Sequence, residues 1–134
     1  MKNPEPELNL DNAVPVRIYC NNLPGDCFTA VFDCVIDGEY HYIGFNGLPF
    51  HPQGIGQHGS SKTLIDRPTH EHLGELIAFT DLTPQGMHFV CQEYVSIAEI
   101  AEKEGKLVCL ELLSDYERAI IASIRSHLTA LRNK

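Results

Sequence analysis

The dipeptide Asp37-Gly38 is the sequence feature that most constrains the fold of this chain. It separates two runs rich in β-branched and aromatic residues, CFTAVFDCVI before it and EYHYIGFNG after it. A two-residue hairpin turn needs positive φ at both turn positions, and Asp-Gly adopts that conformation readily. The sequence therefore predicts an antiparallel β-hairpin over residues 28–46.

The register of this hairpin follows from its turn. Counting outward from Asp37-Gly38 pairs Cys34 with His41 and Asp33 with Tyr42. Apolar residues then occupy both faces of the ribbon, whereas a hairpin with one solvated face would alternate cleanly. We expect both faces to be covered by helices, by a ligand or by a second copy of the chain, and we predict a homo-oligomer on this basis.

The C-terminal half predicts two amphipathic helices. Thr83-Pro84 is typical of an N-cap followed by proline in the first turn, and apolar residues recur at helical spacing over about 84–104. Ser96-x-x-Glu99 could restart this segment as a second helix. Ser114-x-x-Glu117 is a capping box that opens a helix over about 115–132.

These elements together predict one α+β domain spanning residues 1–134, with an antiparallel sheet built on the hairpin and packed against the two helices. Residues 106–112, KLVCLEL, are strand-like, and a helix there stays open as an alternative. Residues 1–13 are polar with two prolines, which is typical of a loose N-terminal arm.

The charge balance bears on the class of partner. The chain carries 18 acidic and 10 basic side chains, a formal net charge of −8. Nucleic acids and anionic membrane surfaces are both negatively charged, so we predict neither as a partner. No apolar run is long enough to cross a bilayer, and residues 1–20 lack the pattern of a signal peptide. Five cysteines without a C-x-x-C pair predict reduced thiols in the cytoplasm.

Residues 47–72 are rich in glycine, proline and histidine, and they predict a long loop of the kind that often carries function. Within it, GIGQHG over 54–59 matches the letters of a dinucleotide-binding motif. That motif needs a strand directly before it and a helix directly after it. Neither is predicted here, so we do not expect nucleotide binding.

The histidines of this loop are the main candidates for a site. We predict a polar pocket lined by the following residues: Asp33, Tyr42, His51, His58, His70 and His72. Three imidazoles, His58, His70 and His72, could also bind a metal with an open fourth position, although no named zinc signature is present. No cofactor is otherwise predicted. Asp33 is expected either to pair with a tyrosine hydroxyl or an arginine such as Arg17, or to serve as a pocket acid.

The run HLGELIAFTDLTPQGMHFVCQEY over 72–94 is similar to small uncharacterised proteins encoded on the mobile gene cassettes of bacterial integrons, and 47–59 resembles them as well. The matching positions are His72-Leu73-Gly74, Ile77-x-Phe79-x-Asp81-Leu82 and Glu93-Tyr94. Thr83-Pro84 departs from the pattern by one inserted residue. The resemblance implies a stand-alone bacterial cytoplasmic protein, homo-oligomeric, with a pocket for a small molecule, and it transfers no catalytic residue.

From these observations we expect a small cytoplasmic oligomeric protein that binds an unidentified small molecule between the sheet and the 47–72 loop, and that is not an enzyme. One alternative is a metal-assisted hydrolase that uses the loop histidines. Another is a protein-interaction module of the antitoxin or regulator type.

Overall fold

The computed structural model describes residues 11–21, 28–45, 56–62 and 73–132. Seven strands and two long helices lie in these ranges: β1 (Asn12–Ala13), β2 (Val16–Cys20), β3 (Phe28–Ile36), β4 (Glu39–Phe45), β5 (Gly56–Ser61), β6 (Glu75–Leu76), α1 (Pro84–Lys103), β7 (Val108–Cys109) and α2 (Asp115–Arg132). Short 3₁₀ turns follow β6 and β7, at Phe79–Asp81 and Leu110–Leu112. The predicted α+β fold is confirmed.

The strands form a five-stranded antiparallel sheet in the order β5-β4-β3-β2-β6 and a separate two-stranded ribbon of β1 and β7. The hairpin at the centre of the larger sheet turns through Asp37 (φ 55°) and Gly38 (φ 82°), as predicted. Residues 12–13 of the predicted N-terminal arm belong to β1, and Ala13 is buried.

The predicted register of the hairpin is wrong beyond Val35. Ile36 pairs with Glu39, but an irregularity in β3 then leaves Asp33 and Cys34 without direct partners in β4, so that His41 lies opposite Phe32. The backbone groups of this bulge find other partners: the Asp33 N–H donates to the Pro15 carbonyl (2.9 Å), and the Val35 carbonyl accepts from Lys106 Nζ (2.6 Å). Because the shift is two residues, each side chain keeps its predicted face.

The predicted 47–72 loop is also wrong in part, because residues 56–61 form strand β5 against β4. Two glycines permit this close pairing. A Cβ at Gly56 would lie 2.3 Å from the Gly44 carbonyl oxygen, and one at Gly59 would lie 2.7 Å from the Tyr42 ring. Gly56 and Gly59 therefore serve strand pairing, and residues 56–59 of GIGQHG lie in a strand, where a nucleotide motif would lead into a helix.

Local capping signals position both helices. The Thr83 hydroxyl accepts from the Gly86 N–H (3.1 Å), and the Ser114–Glu117 capping box is formed in both directions (3.1 Å each). Helix α1 runs unbroken from Pro84 to Lys103, which confirms the single helix predicted over about 84–104, and the alternative restart at Ser96 does not occur. Residues 106–112, for which strand and helix were both open, contain strand β7 and a 3₁₀ turn.

The main core lies between one sheet face and the two helices. It joins Phe32, Ile43 and Phe45 of the hairpin to Val90 and Ile97 of α1 and to the isoleucines of α2. A smaller cluster of Tyr19, Val31 and Leu73 lies apart from it, with Tyr42 packed against these residues. Both faces of the hairpin are thus covered, at least in part, by residues of the same chain.

Candidate functional site

His58 lies on β5 and contacts His41 of β4 through a side-chain hydrogen bond. The His41 Nδ1 and His58 Nε2 atoms are 2.9 Å apart, and the ring centroids are 5.0 Å apart. The register explains the contact: His58 lies opposite Ile43, and His41 is two residues before Ile43 on the same strand. Both imidazoles therefore project from one face of the sheet.

The backbone fixes the orientation of this imidazole pair. His41 Nε2 lies 3.2 Å from the carbonyl oxygen of Ile36, which can only accept a hydrogen bond. Nε2 of His41 therefore carries the proton, and in the neutral ring Nδ1 has a lone pair. This lone pair faces His58 Nε2, which donates a hydrogen bond to it.

Polar side chains surround the imidazole pair at this end of the sheet. Ser60 is the strand partner of His41, and its hydroxyl donates to the carboxylate of Glu39. Glu39 is two residues before His41 on β4, so it projects from the same face. His58 itself is exposed to solvent. The result is an open cluster of two imidazoles, one carboxylate and one hydroxyl.

Tyr42 does not join His58 in a common pocket. Tyr42 is the strand partner of Gly59, and its ring packs over that glycine. Since neighbouring residues on a strand point to opposite faces, Tyr42 and His58 lie on opposite sides of the β4–β5 pair. Three other predicted pocket residues, His51, His70 and His72, lie outside the described residues, and their participation stays a prediction.

Asp33 has the arginine partner that the sequence suggested. Its carboxylate lies 3.8 Å from Arg17 Nη1, and the same nitrogen donates to Glu117 of α2 at 3.0 Å. Burial raises the pKa of Asp33 above its ordinary value, the positive charge of Arg17 lowers it in part, and Glu117 raises it further. Arg17 therefore links two carboxylates, one on the sheet and one on the helix.

Cys34 and Cys91 pack in the core and are not placed as nucleophiles. The predicted pairing of Cys34 with His41 is absent because of the bulge. Burial raises the pKa of the Cys34 thiol, and it raises the pKa of Cys91 to about 12. Reactive thiols need a lowered pKa and exposure, so neither Cys34 nor Cys91 is suited to catalysis.

A groove of about 330 Å³ lies at the opposite edge of the sheet, between the segment that follows β6 and helix α2. Its lining is mainly apolar and comes from two stretches of chain: Leu76, Ile77, Ala78, Phe79 and Asp81 on one side, and Tyr116, Ala119, Ile120 and Ser123 on the other. No sequence pattern predicts this groove, because its two sides are about forty residues apart and meet only in the folded chain.

The polar groups of the groove differ in what they can offer a ligand. The Tyr116 hydroxyl already donates to the Ile77 carbonyl (2.6 Å) and accepts from the Ile18 N–H (3.0 Å), and burial raises its pKa to about 12. Asp81 is exposed, and the Ala78 N–H holds one of its carboxylate oxygens at 3.1 Å. A fixed carboxylate therefore lies at the rim of an apolar groove.

Comparisons with known proteins add no functional assignment. The chain matches no family model, no curated protein and no solved structure. The resemblance to integron cassette proteins therefore stays a prediction. Within the part of the chain that the structure describes, no three His, Cys, Asp or Glu side chains are grouped to hold a metal ion, and no helix there is long and apolar enough to cross a membrane.

Proposed function

We propose that this protein is a small-molecule binding protein and that the groove between the β6 segment and α2 holds its ligand. The observation that carries the proposal is the groove itself. Its volume of about 330 Å³ lies within the range of small-ligand sites, and its lining is apolar with few polar groups. This combination suits a compact ligand whose binding depends mainly on the apolar surface that it buries.

Asp81 sets the chemical class of the ligand. Its carboxylate is fixed at the rim by the Ala78 N–H, and the chain as a whole carries a formal net charge of −8. Both features attract cations and repel anions. The ligand that suits the groove best is therefore a small apolar molecule with one protonated amine.

The pocket that the sequence predicted, between the sheet and residues 47–72, lies largely outside the described residues and stays a separate prediction. A homo-oligomer also stays a prediction. Val31 and Tyr19 are only 1% and 2% exposed within a single chain, so these two residues need no partner subunit to cover them. Light scattering tests the oligomer directly, and a monomer would contradict it.

A cytoplasmic location is part of the same proposal. Cys34, Cys91 and Cys109 are free thiols, which is usual for proteins of reducing compartments. The enzyme alternative, a metal-assisted hydrolase with His58, His70 and His72 as ligands, has only His58 among the described residues, and it stays an untested prediction.

The binding proposal is tested by calorimetry with three probes of similar shape: 2-phenylethylamine, 2-phenylethanol and 3-phenylpropionate. We expect the amine to bind most tightly and the carboxylate most weakly. Asp81→Asn should reduce the preference for amine over alcohol by roughly fivefold, since an exposed charge-assisted contact contributes about 1 kcal/mol. Equal binding of all three probes, or no binding, would contradict the proposal.

A pair of matched helix variants locates the site. Ala119→Phe places a large ring in the groove and should abolish binding of 2-phenylethylamine. Ala122→Phe, on an exposed position of the same helix, should leave it unchanged. Circular dichroism and thermal melting confirm that both variants are folded. If Ala119→Phe binds the amine as the wild type does, the groove is not the site.

A further inference from the structure

A second site lies at the other edge of the sheet, and it does not depend on the groove. We infer that His41 and His58 form a two-nitrogen site for a divalent late transition metal, with copper and nickel preferred over zinc. The inference rests on three features of the imidazole pair: the separation of its nitrogens, the hydrogen bond that orients His41, and the exposure of His58.

The separation of the two nitrogens suits two ligands of one metal. Metal–imidazole bonds are about 2.0–2.1 Å long. Two such bonds whose nitrogens lie 2.9 Å apart, as His41 Nδ1 and His58 Nε2 do, enclose an angle of about 90° at the metal. Tetragonal and octahedral sites have ligands at this angle, whereas tetrahedral zinc sites need a wider separation. The geometry therefore favours copper or nickel.

The hydrogen bond from His41 Nε2 to the Ile36 carbonyl is the type of contact that supports metal ligands. Metal-binding histidines usually donate their second ring N–H to a carbonyl or carboxylate, which fixes the tautomer and aims the other nitrogen at the metal. Here the carbonyl is 3.2 Å away, and the nitrogen left with a lone pair is the one that faces His58. The Ile36 carbonyl thus fixes the tautomer of His41 that keeps a lone pair on Nδ1, the atom that would bind the ion.

Metal binding requires both rings to tilt so that their lone pairs converge on the ion, and it requires a proton shift at His58. In the metal-free protein its Nε2 carries the proton that is donated to His41. On binding, this proton moves to Nδ1 through solvent, so that two neutral imidazoles bind the ion through one lone pair each. His58 is exposed, so solvent reaches it freely and water can fill the remaining coordination positions. Glu39, two residues before His41 on the same face of β4, adds negative charge to this end of the sheet.

The test uses the full-length chain with its purification tag removed, because a histidine tag would bind the same ions. Isothermal titration with CuCl₂, NiCl₂, ZnCl₂ and MgCl₂ should show one equivalent of copper and of nickel, weaker zinc binding, and no magnesium binding, since magnesium prefers oxygen ligands. Electron paramagnetic resonance of the copper form should show coupling to two imidazole nitrogens. Acidification should weaken binding, because only unprotonated imidazole is a ligand.

Single substitutions assign the site to these two residues. His41→Ala and His58→Ala should each weaken copper binding by at least about tenfold, the loss that even a supporting residue of a metal site can cause. His88→Ala removes an exposed histidine of α1 and should leave binding unchanged. Failure of the wild type to bind copper or nickel would overturn the inference, as would full retention of copper binding in both His41→Ala and His58→Ala.

Discussion

The two edges of the five-stranded sheet differ in the length of the edge strand and in what covers it. At the β5 edge a six-residue strand of glycine and polar residues pairs with β4, and its imidazole reaches solvent. At the β6 edge the strand has only two residues, and Tyr116 of α2 bonds to the backbone of Ile18 and Ile77. Exposed sheet edges invite unwanted pairing, and polar residues and helical cover are two known protections.

The difference has a chemical consequence. At the β5 edge, side-chain nitrogens have lone pairs to offer, which suits a metal ion. At the β6 edge, the Tyr116 hydroxyl is already engaged, so the groove offers apolar surface and the Asp81 carboxylate. We therefore expect the two edges to bind different ligand classes. The predictions for Gly56 and Tyr116 each test the structure of one edge, and those for Ile124 and Asp33 test the contacts between sheet and helix.

The largest effect is expected from removing the packing of α2 on the sheet. Ile124 is fully buried in α2. Ile124→Ala should lower the free energy of unfolding by about 2–5 kcal/mol, because it leaves a cavity between helix and sheet. Urea denaturation measures this loss. Leu131→Ala, near the exposed end of the same helix, should change the free energy by about 0.5 kcal/mol or less, and equal effects would contradict the assigned packing.

The β5 edge is tested by two alanine substitutions at glycines of the paired strands β4 and β5. A Cβ at Gly56 would collide with the Gly44 backbone, whereas a Cβ at Gly44 meets nothing within 4 Å. Gly56→Ala should therefore destabilise the protein by about 1–3 kcal/mol, as expected for a forced backbone shift. Gly44→Ala should cost about 0.5 kcal/mol or less. A harmless Gly56→Ala would mean that β5 does not pair in this register.

A smaller effect should follow from removing the Tyr116 hydroxyl. Tyr116→Phe leaves the Ile77 carbonyl and the Ile18 N–H without this partner, which should cost about 1–2 kcal/mol. Hydrogen exchange at the Ile18 amide should accelerate accordingly. Tyr40→Phe, on β4 near the other edge, is the matched control and should be nearly neutral. Unchanged exchange at Ile18 in Tyr116→Phe would show that the hydroxyl does not complete the edge.

The smallest effect concerns Asp33. Its pKa is raised in the folded protein, so the folded state binds more protons than the unfolded chain, and stability from this group is lost as pH rises through the folded pKa. Asp33→Asn removes this loss. Between pH 3.5 and pH 7, the free energy of unfolding of Asp33→Asn should rise by up to about 0.5 kcal/mol relative to the wild type. The value is small because solvent screens the partly exposed group. If Asp33→Asn is instead less stable than the wild type over that range, the attraction of Arg17 for the Asp33 carboxylate outweighs the cost of burying it.

Local signals in the sequence predicted a large part of this fold. Three local patterns act on backbone groups that are close in sequence, so they predict a turn and two helix starts without tertiary contacts. They are Asp37-Gly38, Thr83-Pro84 and the Ser114–Glu117 capping box. Strand β5 could not be predicted in the same way. Glycine disfavours strands in isolation, and the glycines of β5 are suited to this strand only because β4 lies too close to leave room for a Cβ.

The candidate sites depend on contacts between distant parts of the chain. His58 was recognised as a candidate, but its partner His41 follows only from the register of β4 with β5. The bulge in β3 depends on Pro15 and Lys106, which are remote in sequence.

Chemical-shift mapping with 2-phenylethylamine tests the central claim, that the groove at the β6 edge is the small-molecule site. We predict saturable shifts of backbone amides at 76–81 and 116–123, with the amides of 39–43 and 56–61 unchanged. Shifts concentrated at 39–43 and 56–61, or spread evenly over the sheet, would contradict the assignment of different ligand classes to the two edges.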